Sequence, residues 1–314
     1  MKYRRLGKTN LEVSLVSFGS GGPSKLGQNT GLTPQEQDHL IKSVLNLGIN
    51  LIDSSEVYGD SETILGRSLT DVDRESYYLA TKCAYKRRDG ELRSPEEIMF
   101  SIDRSLNRLS TDHIDIMQFH VLNSSDYYRV VDELYPVMVQ AREQGKIRFI
   151  GFSEQFMVEP DHRVVTMGLR EDPELWDTVM LKYGILNQYA GKEALPLCEE
   201  HDIGVLNMAV IREKLPDPEL LSTQIKNWKR EGLISESDIS STDPLGWLVD
   251  GEVGSIVDAG YKFAADHRAI STVLTGTSKI SHLESNIQAL EDPTLPDHHR
   301  ERLERIFGEI AIYI

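Results

Sequence analysis

Eight short apolar runs, separated by stretches with helical spacing, constrain this chain more than any other feature. They are Leu15 to Phe18, Ile49 to Ile52, Tyr77 to Ala80, Ile114 to Phe119, Ile147 to Phe152, Val179 to Leu181, Gly204 to Met208 and Thr272 to Leu274. Between them Thr33-Pro34-Gln35-Glu36 and Ser94-Pro95-Glu96-Glu97 each form a capping box with proline at the first helical position. Leu40, Ile41, Val44 and Leu45 follow the first box, and Ile98, Ile102, Leu106 and Leu109 the second, on one helical face. Strands that alternate with helices pair in parallel and are covered on both faces. Eight such units in 314 residues predict a closed (β/α)8 TIM barrel occupying the whole chain, 1–314, as one domain. Two extended pieces around Gly7, within Tyr3 to Ser14, predict a β-hairpin plug ahead of the first barrel strand. A long loop after strand 7, residues 212–250, breaks the repeat. In a barrel it lies on the catalytic face, so it is expected to face substrate, with Trp228 and Trp247 covering something there.

Composition removes several functional classes. A formal net charge of −16 opposes sequence-independent nucleic-acid binding, which needs surplus lysine and arginine to neutralise phosphates. Cys83 and Cys198 are the two cysteines, too few for a disulfide framework and wrongly spaced for zinc. No apolar run reaches membrane-spanning length, and Met1 to Arg5 is not followed by the apolar core of a secretory signal. A cytoplasmic protein acting on small molecules is therefore expected, with no nucleic-acid or membrane partner. Gly7-Lys8-Thr9 mimics the end of a phosphate loop, but Lys2 stands where that motif needs glycine. Asp297-His298-His299 hints at a metal; adjacent side chains on a helix are expected to point apart, so no metal is assigned.

In such a barrel the strand ends open into one mouth. Asp53 ends the second strand, Lys82 the third and His120 the fourth, while Tyr58 lies in the loop after the second. A free phenol, with a pKa near ~10, is a poor acid at neutral pH. A neighbouring ammonium stabilises the phenolate and makes proton exchange with a carbonyl or alkoxide oxygen feasible. Asp53 would hold Lys82 as an ion pair, and His120 would orient the substrate oxygen or relay a proton. Each residue alone has a structural explanation; four at successive strand ends point to catalysis.

These residues sit within a wider resemblance to the aldo-keto reductase family. It runs from Tyr3-Arg4-x-Leu6-Gly7-x-Thr9 through Asn50-Leu51-Ile52-Asp53 and Val57-Tyr58-Gly59 to Ala80-Thr81-Lys82, His120 and Gly151-Phe152-Ser153, ending in Gly276-Thr277-Ser278, His282-Leu283 and Asn286. The resemblance implies an NAD(P)-dependent oxidoreductase that interconverts a carbonyl and an alcohol, with Tyr58 as general acid or base and Asp53, Lys82 and His120 completing the set. It also implies a cofactor site, for NADP or NAD, built from Ser153, Glu154, Met180, Met208, Gly276, Thr277, Ser278, Lys279, His282 and Asn286. Several positions depart from the family pattern. Glu154 stands for asparagine, Met180 for glutamine, Met208 for an aromatic residue and Ser285 for glutamate, and Lys279 is the only fixed cation near the position of a ribose phosphate. Glu154 could instead act on the substrate. The acidic loops lean toward a polar substrate such as a sugar. Two alternatives stay open: proton-transfer chemistry on a sugar or hydroxy-ketone, as an isomerase or lyase with the cofactor absent or permanently bound, and a non-enzymatic regulatory subunit. Oligomeric state is not legible.

Overall fold

The protein is described by a computed structural model covering residues 1–313. A two-stranded antiparallel hairpin, β1 (Tyr3–Arg5) with β2 (Glu12–Ser14), precedes eight parallel strands that close into a barrel. In chain order these are β3 (Val16–Gly19), β4 (Leu51–Asp53), β5 (Tyr78–Ala84), β6 (Ile114–Leu122), β7 (Ile147–Glu154), β8 (Thr178–Leu181), β9 (Gly204–Asn207) and β10 (Ile270–Thr275). Each strand pairs with its sequence neighbours, and β10 closes on β3. The helices are α1 (Pro34–Asn46), α2 (Ser61–Ser68), α3 (Pro95–Leu109), α4 (Tyr127–Arg129), α5 (Tyr135–Glu143), α6 (Arg163–Glu171), α7 (Ala194–Glu200), α8 (Pro218–Arg230), α9 (Ile256–Asp266), α10 (Ile280–Ala289) and α11 (Asp297–Phe307). Both expected capping boxes form, at Thr33 with Glu36 and at Ser94 with Glu97.

The period of two along a strand explains where the chemistry can sit. Leu51, Ala80, Ile116, Met180 and Leu206 form an apolar layer inside the barrel, sealed from below by Leu6, Leu11 and Val13 of the hairpin region. Two residues further along the same strands, on the same face, come Asp53, Lys82 and Gln118, and two beyond Gln118 comes His120. A polar layer thus stacks directly on an apolar floor that excludes water. The larger core lies outside the barrel, where strands meet helices; there Trp176 is fully buried and packs edge-on against Phe119, Phe152 and Tyr135.

The structure departs from the sequence at several strand ends, β7 and β10 among them, and in the insertion. β5 and β6 run past the expected ends, so Lys82 and His120 lie within strands, hydrogen-bonded into the ladder. The insertion of 212–250 is not an irregular loop: it holds the three-and-a-half-turn helix α8, started by Pro218 behind the Asp217 cap. Its tryptophans pack rather than face substrate. Trp228 is 1% exposed and lies against Phe307 of α11, and Trp247 packs on His299 beneath the Arg302 guanidinium. Asp250, at the end of the insertion, accepts a hydrogen bond from His299 Nε2 at 2.7 Å, with His298 Nε2 at 3.8 Å. The adjacent imidazoles therefore converge instead of diverging, because a carboxylate from another segment meets them at the first turn of α11. No helix among the described residues is long and apolar enough to cross a membrane.

Docking of the insertion through a buried indole predicts its energetics. Trp228→Ala is expected to cost about 3–5 kcal/mol, the usual loss for truncating a buried large aromatic, in a single cooperative denaturant transition. A separate early transition for the variant, with the barrel unchanged, would instead mean that the insertion folds apart from it.

Candidate active site

The polar layer meets at Lys82. Its Nζ donates to Asp53 Oδ1 at 2.7 Å, to Asp53 Oδ2 at 2.6 Å and to the Ser54 carbonyl at 2.7 Å. Lys82 is 1% exposed and Asp53 3%. Burial alone would strip the proton from the ammonium, but the Asp53 charge and then the neighbouring Tyr58 phenol outweigh burial and hold the Lys82 pKa above its ordinary value. The ammonium also stands 5.1 Å from the centre of the Tyr58 ring.

Tyr58 and His120 complete the mouth. Their rings meet edge to face with centroids 5.6 Å apart. Burial, then the Lys82 charge, pushes the His120 pKa down to about 3, so the imidazole is neutral across the neutral range. Its Nδ1 lies 3.1 Å from the Ser55 hydroxyl. Glycine is required beneath the phenol: a Cβ at Gly21 would lie 2.6 Å from the Tyr58 ring.

The loop from Asp53 to Tyr58 is fixed by a residue that the sequence did not single out. The Glu56 carboxylate is buried and accepts from Arg93 Nη1 at 2.6 Å, Ala84 N at 2.8 Å, Ser101 Oγ at 3.0 Å and the Arg104 guanidinium. Burial would raise its pKa; the Ala84 amide, Arg93 and Ser101 reverse that and hold it below the ordinary carboxylate range. From the other side Gln28 clamps the loop, donating to Tyr58 O and Ser61 Oγ and accepting from Asp60 N.

A cavity of about 1340 Å³ opens at this mouth and runs across the barrel rim. Asp53 and Tyr58 line one end, with Met180 and Met208 beside them; Gly276, Thr277, His282 and Asn286 line its course along β10 and α10. Four expected cofactor residues stand elsewhere. Ser153 is buried and accepts from Val121 N at 2.8 Å. Glu154 is 1% exposed, with Oε1 on the Lys182 amide at 2.8 Å and Oε2 2.8 Å from His162 Nδ1. That carboxylate is part of the wall, turned from the cavity, which departs from the expectation that it meets cofactor or substrate. Ser278 and Lys279 lie outside the cavity lining, Lys279 exposed to solvent. Residues 209–213, directly after β9, line it instead, Ala209 and Arg212 with left-handed backbones. Only their place behind a barrel strand signalled them in sequence.

The cavity suits a dinucleotide. Its volume exceeds that of drug-sized pockets, thioethers flank the Tyr58 end and can pack on a flat ring, and Gly19, Gly21 and Gly276 leave backbone open along the wall.

Comparison with known proteins agrees. The family model described as the Aldo/keto reductase family matches residues 17–307. The chain is 29% identical to L-galactose dehydrogenase of Arabidopsis thaliana over 93% of this chain and 89% of that protein. It is 28% identical to NADH-specific methylglyoxal reductase of Escherichia coli (strain K12) over 97% of this chain and 100% of that one. An aldo-keto reductase from Bacillus halodurans in its holo form superimposes with a TM-score of 0.74 at 25% identity, covering 100% of this chain and 98% of that chain.

The clamp on the Tyr58 loop can be broken singly. Glu56→Gln weakens charge-assisted hydrogen bonds from two half-exposed arginines and is expected to lower stability by on the order of 2 kcal/mol, read by urea denaturation. An unchanged midpoint would show that the Glu56 network does not hold this loop.

Proposed function

The chain belongs to the aldo/keto reductase family, and we propose that it interconverts a carbonyl and an alcohol on a polyhydroxylated small molecule, with Tyr58 exchanging the proton. As a member of that family it is an oxidoreductase using a nicotinamide cofactor. The observation that carries the finer assignment is the placement of the Tyr58 phenol at the cavity mouth, with the buried Lys82–Asp53 pair behind it and a neutral His120 beside it.

The steps follow from these groups. When bound, the nicotinamide supplies or takes a hydride at the carbon of the reacting carbonyl or alcohol. In reduction Tyr58 gives its proton to the carbonyl oxygen, and the Lys82 ammonium stabilises the charge that develops on the phenol oxygen. Asp53 keeps Lys82 charged in a site where an unpaired ammonium would be lost. His120 enters uncharged, so it can hydrogen-bond the substrate oxygen without competing with Tyr58 as an acid. In oxidation the same residues run in reverse, Tyr58 taking the alcohol proton. Met180, Met208, Gly276, Thr277, His282 and Asn286, which line the cavity, are the positions proposed to contact or frame the cofactor.

A polar substrate is supported by the names of relatives, L-galactose dehydrogenase and L-glyceraldehyde 3-phosphate reductase among them. The cavity, which extends from Tyr58 past Asn286, favours hydride transfer over proton-transfer chemistry alone, because an isomerase or lyase of a small sugar has no use for its far half.

Tyr58→Phe keeps the ring and removes only the proton. Turnover of an aldose with either nicotinamide cofactor is expected to fall by at least about 100-fold, with cofactor affinity changed less than about twofold, measured by steady-state kinetics and fluorescence titration. A variant that turns over at the parent rate would remove Tyr58 from the proposed role.

A further inference from the structure

The far end of the cavity, away from Tyr58, carries an electrostatic bias that bears on which nicotinamide dinucleotide the protein takes. Two segments face the cavity there: Glu252 to Asp258, leading into α9, and Glu291 with Asp292, just after α10. Asp258 is drawn to the wall by its neighbour. A Cβ on Gly254 would come within 3.0 Å of Asp258 Oδ2, so the bare glycine is what lets the carboxylate sit against this stretch of lining. The Asp258 amide is bound by the Ser255 hydroxyl at 3.0 Å, which fixes the residue in the first turn of α9.

Cations are sparse by comparison. Lys262 is the lysine that lines this end, and its Nζ already donates to the Asp292 and Thr294 carbonyls. It is thereby held to the chain after α10 and buried, at 8% exposed. His282 is bonded to the Thr277 hydroxyl through Nδ1 at 3.3 Å. Arg212 belongs to the segment after β9, and Lys279 stands outside the lining. Against Glu252, Asp258, Glu291 and Asp292 the lining offers the engaged Lys262 and Arg212, the latter followed by Glu213, so the charge here is net negative.

The two cofactors differ in one group. NADPH carries a phosphate on the adenosine ribose where NADH carries a hydroxyl; the phosphate is a dianion that is recognised by arginine or lysine forks, whereas a ribose diol donates hydrogen bonds to carboxylates. We infer that this protein selects NAD(H) over NADP(H), with Asp258 and Glu252 disfavouring the extra phosphate and available to the ribose hydroxyls. The inference rests on the nicotinamide reading of the cavity and adds to it which dinucleotide is taken and why. Glycine at 254 and acids at 252 and 258 thus act together as a specificity device, set on the segment where the insertion rejoins the barrel.

Titrating the full-length protein with NADH and with NADPH, by cofactor fluorescence and by calorimetry, tests this without any substrate. At low ionic strength NADH is expected to bind at least about tenfold more tightly. The gap should narrow at about 0.5 M salt, where charge repulsion across the cavity is screened. In a Glu252→Gln/Asp258→Asn variant NADPH should tighten while NADH stays level or weakens. NADPH binding as tight as NADH at low salt would overturn the inference and leave the nicotinamide reading standing. A wild-type gap that ignores salt, or a folded variant with an unchanged ratio, would overturn the assignment to these carboxylates. Binding of neither cofactor at high micromolar concentration would overturn the nicotinamide reading, and this inference with it.

Discussion

Everything at the mouth depends on one buried ion pair. Lys82 and Asp53 are withdrawn from water almost completely, and removing each ion from water costs several kcal/mol. Their mutual attraction and the Ser54 carbonyl offset that cost, but a well-packed apolar pair would serve stability as well. Such a pair is therefore best explained by chemistry. It can form only if the barrel closes in the observed register, which sets Asp53 against Ala80 and so brings Lys82, two residues on, over the carboxylate. The apolar layer beneath, with its hairpin seal, keeps water from dissolving the pair. Fold and site are in this sense one arrangement.

The pair also sorts the roles of its neighbours. Its positive end stands 5.1 Å from the Tyr58 ring, and burial together with the same charge suppresses protonation of His120. A phenol and a neutral imidazole are thus placed side by side next to one ammonium. The phenol needs a fixed position for this to work, and its loop supplies no regular structure of its own. Glu56 and Gln28 provide that fixity from opposite sides. Glu56 sits between two members of the proposed proton-transfer set, yet it is structural.

Much of this was legible in sequence because barrel geometry is strict. Short apolar runs gave the strands, and the polar residues at or just past their ends, Asp53, Lys82 and His120, are brought together at one mouth. The same rule misplaced the strand ends, since Thr81, Lys82 and His120 are polar residues inside strands and break the apolar pattern. Glu154 was misleading for a related reason: a carboxylate at a strand end signals the mouth, but a backbone amide and His162 turn it into the wall. The tryptophans of the insertion pointed correctly to covered surface, while what they cover, α11 and its histidines, depends on contacts far apart in the chain, Trp228 with Phe307 and Trp247 with His299. Asp250 was invisible as a partner of His298 and His299 because nothing local links them. Contacts set by a strand's own period could be read; those set by where loops return could not.

The central claim is that a hydride accompanies the proton at this mouth. Incubating the protein with the oxidised cofactor and an aldose deuterated at C1, then weighing the reduced cofactor by mass spectrometry, tests it directly. The account predicts one deuterium carried from sugar to nicotinamide as deuteride, with none lost to water. A C1 deuteron that stays on the sugar, or exchanges into solvent while the cofactor remains oxidised, would contradict it.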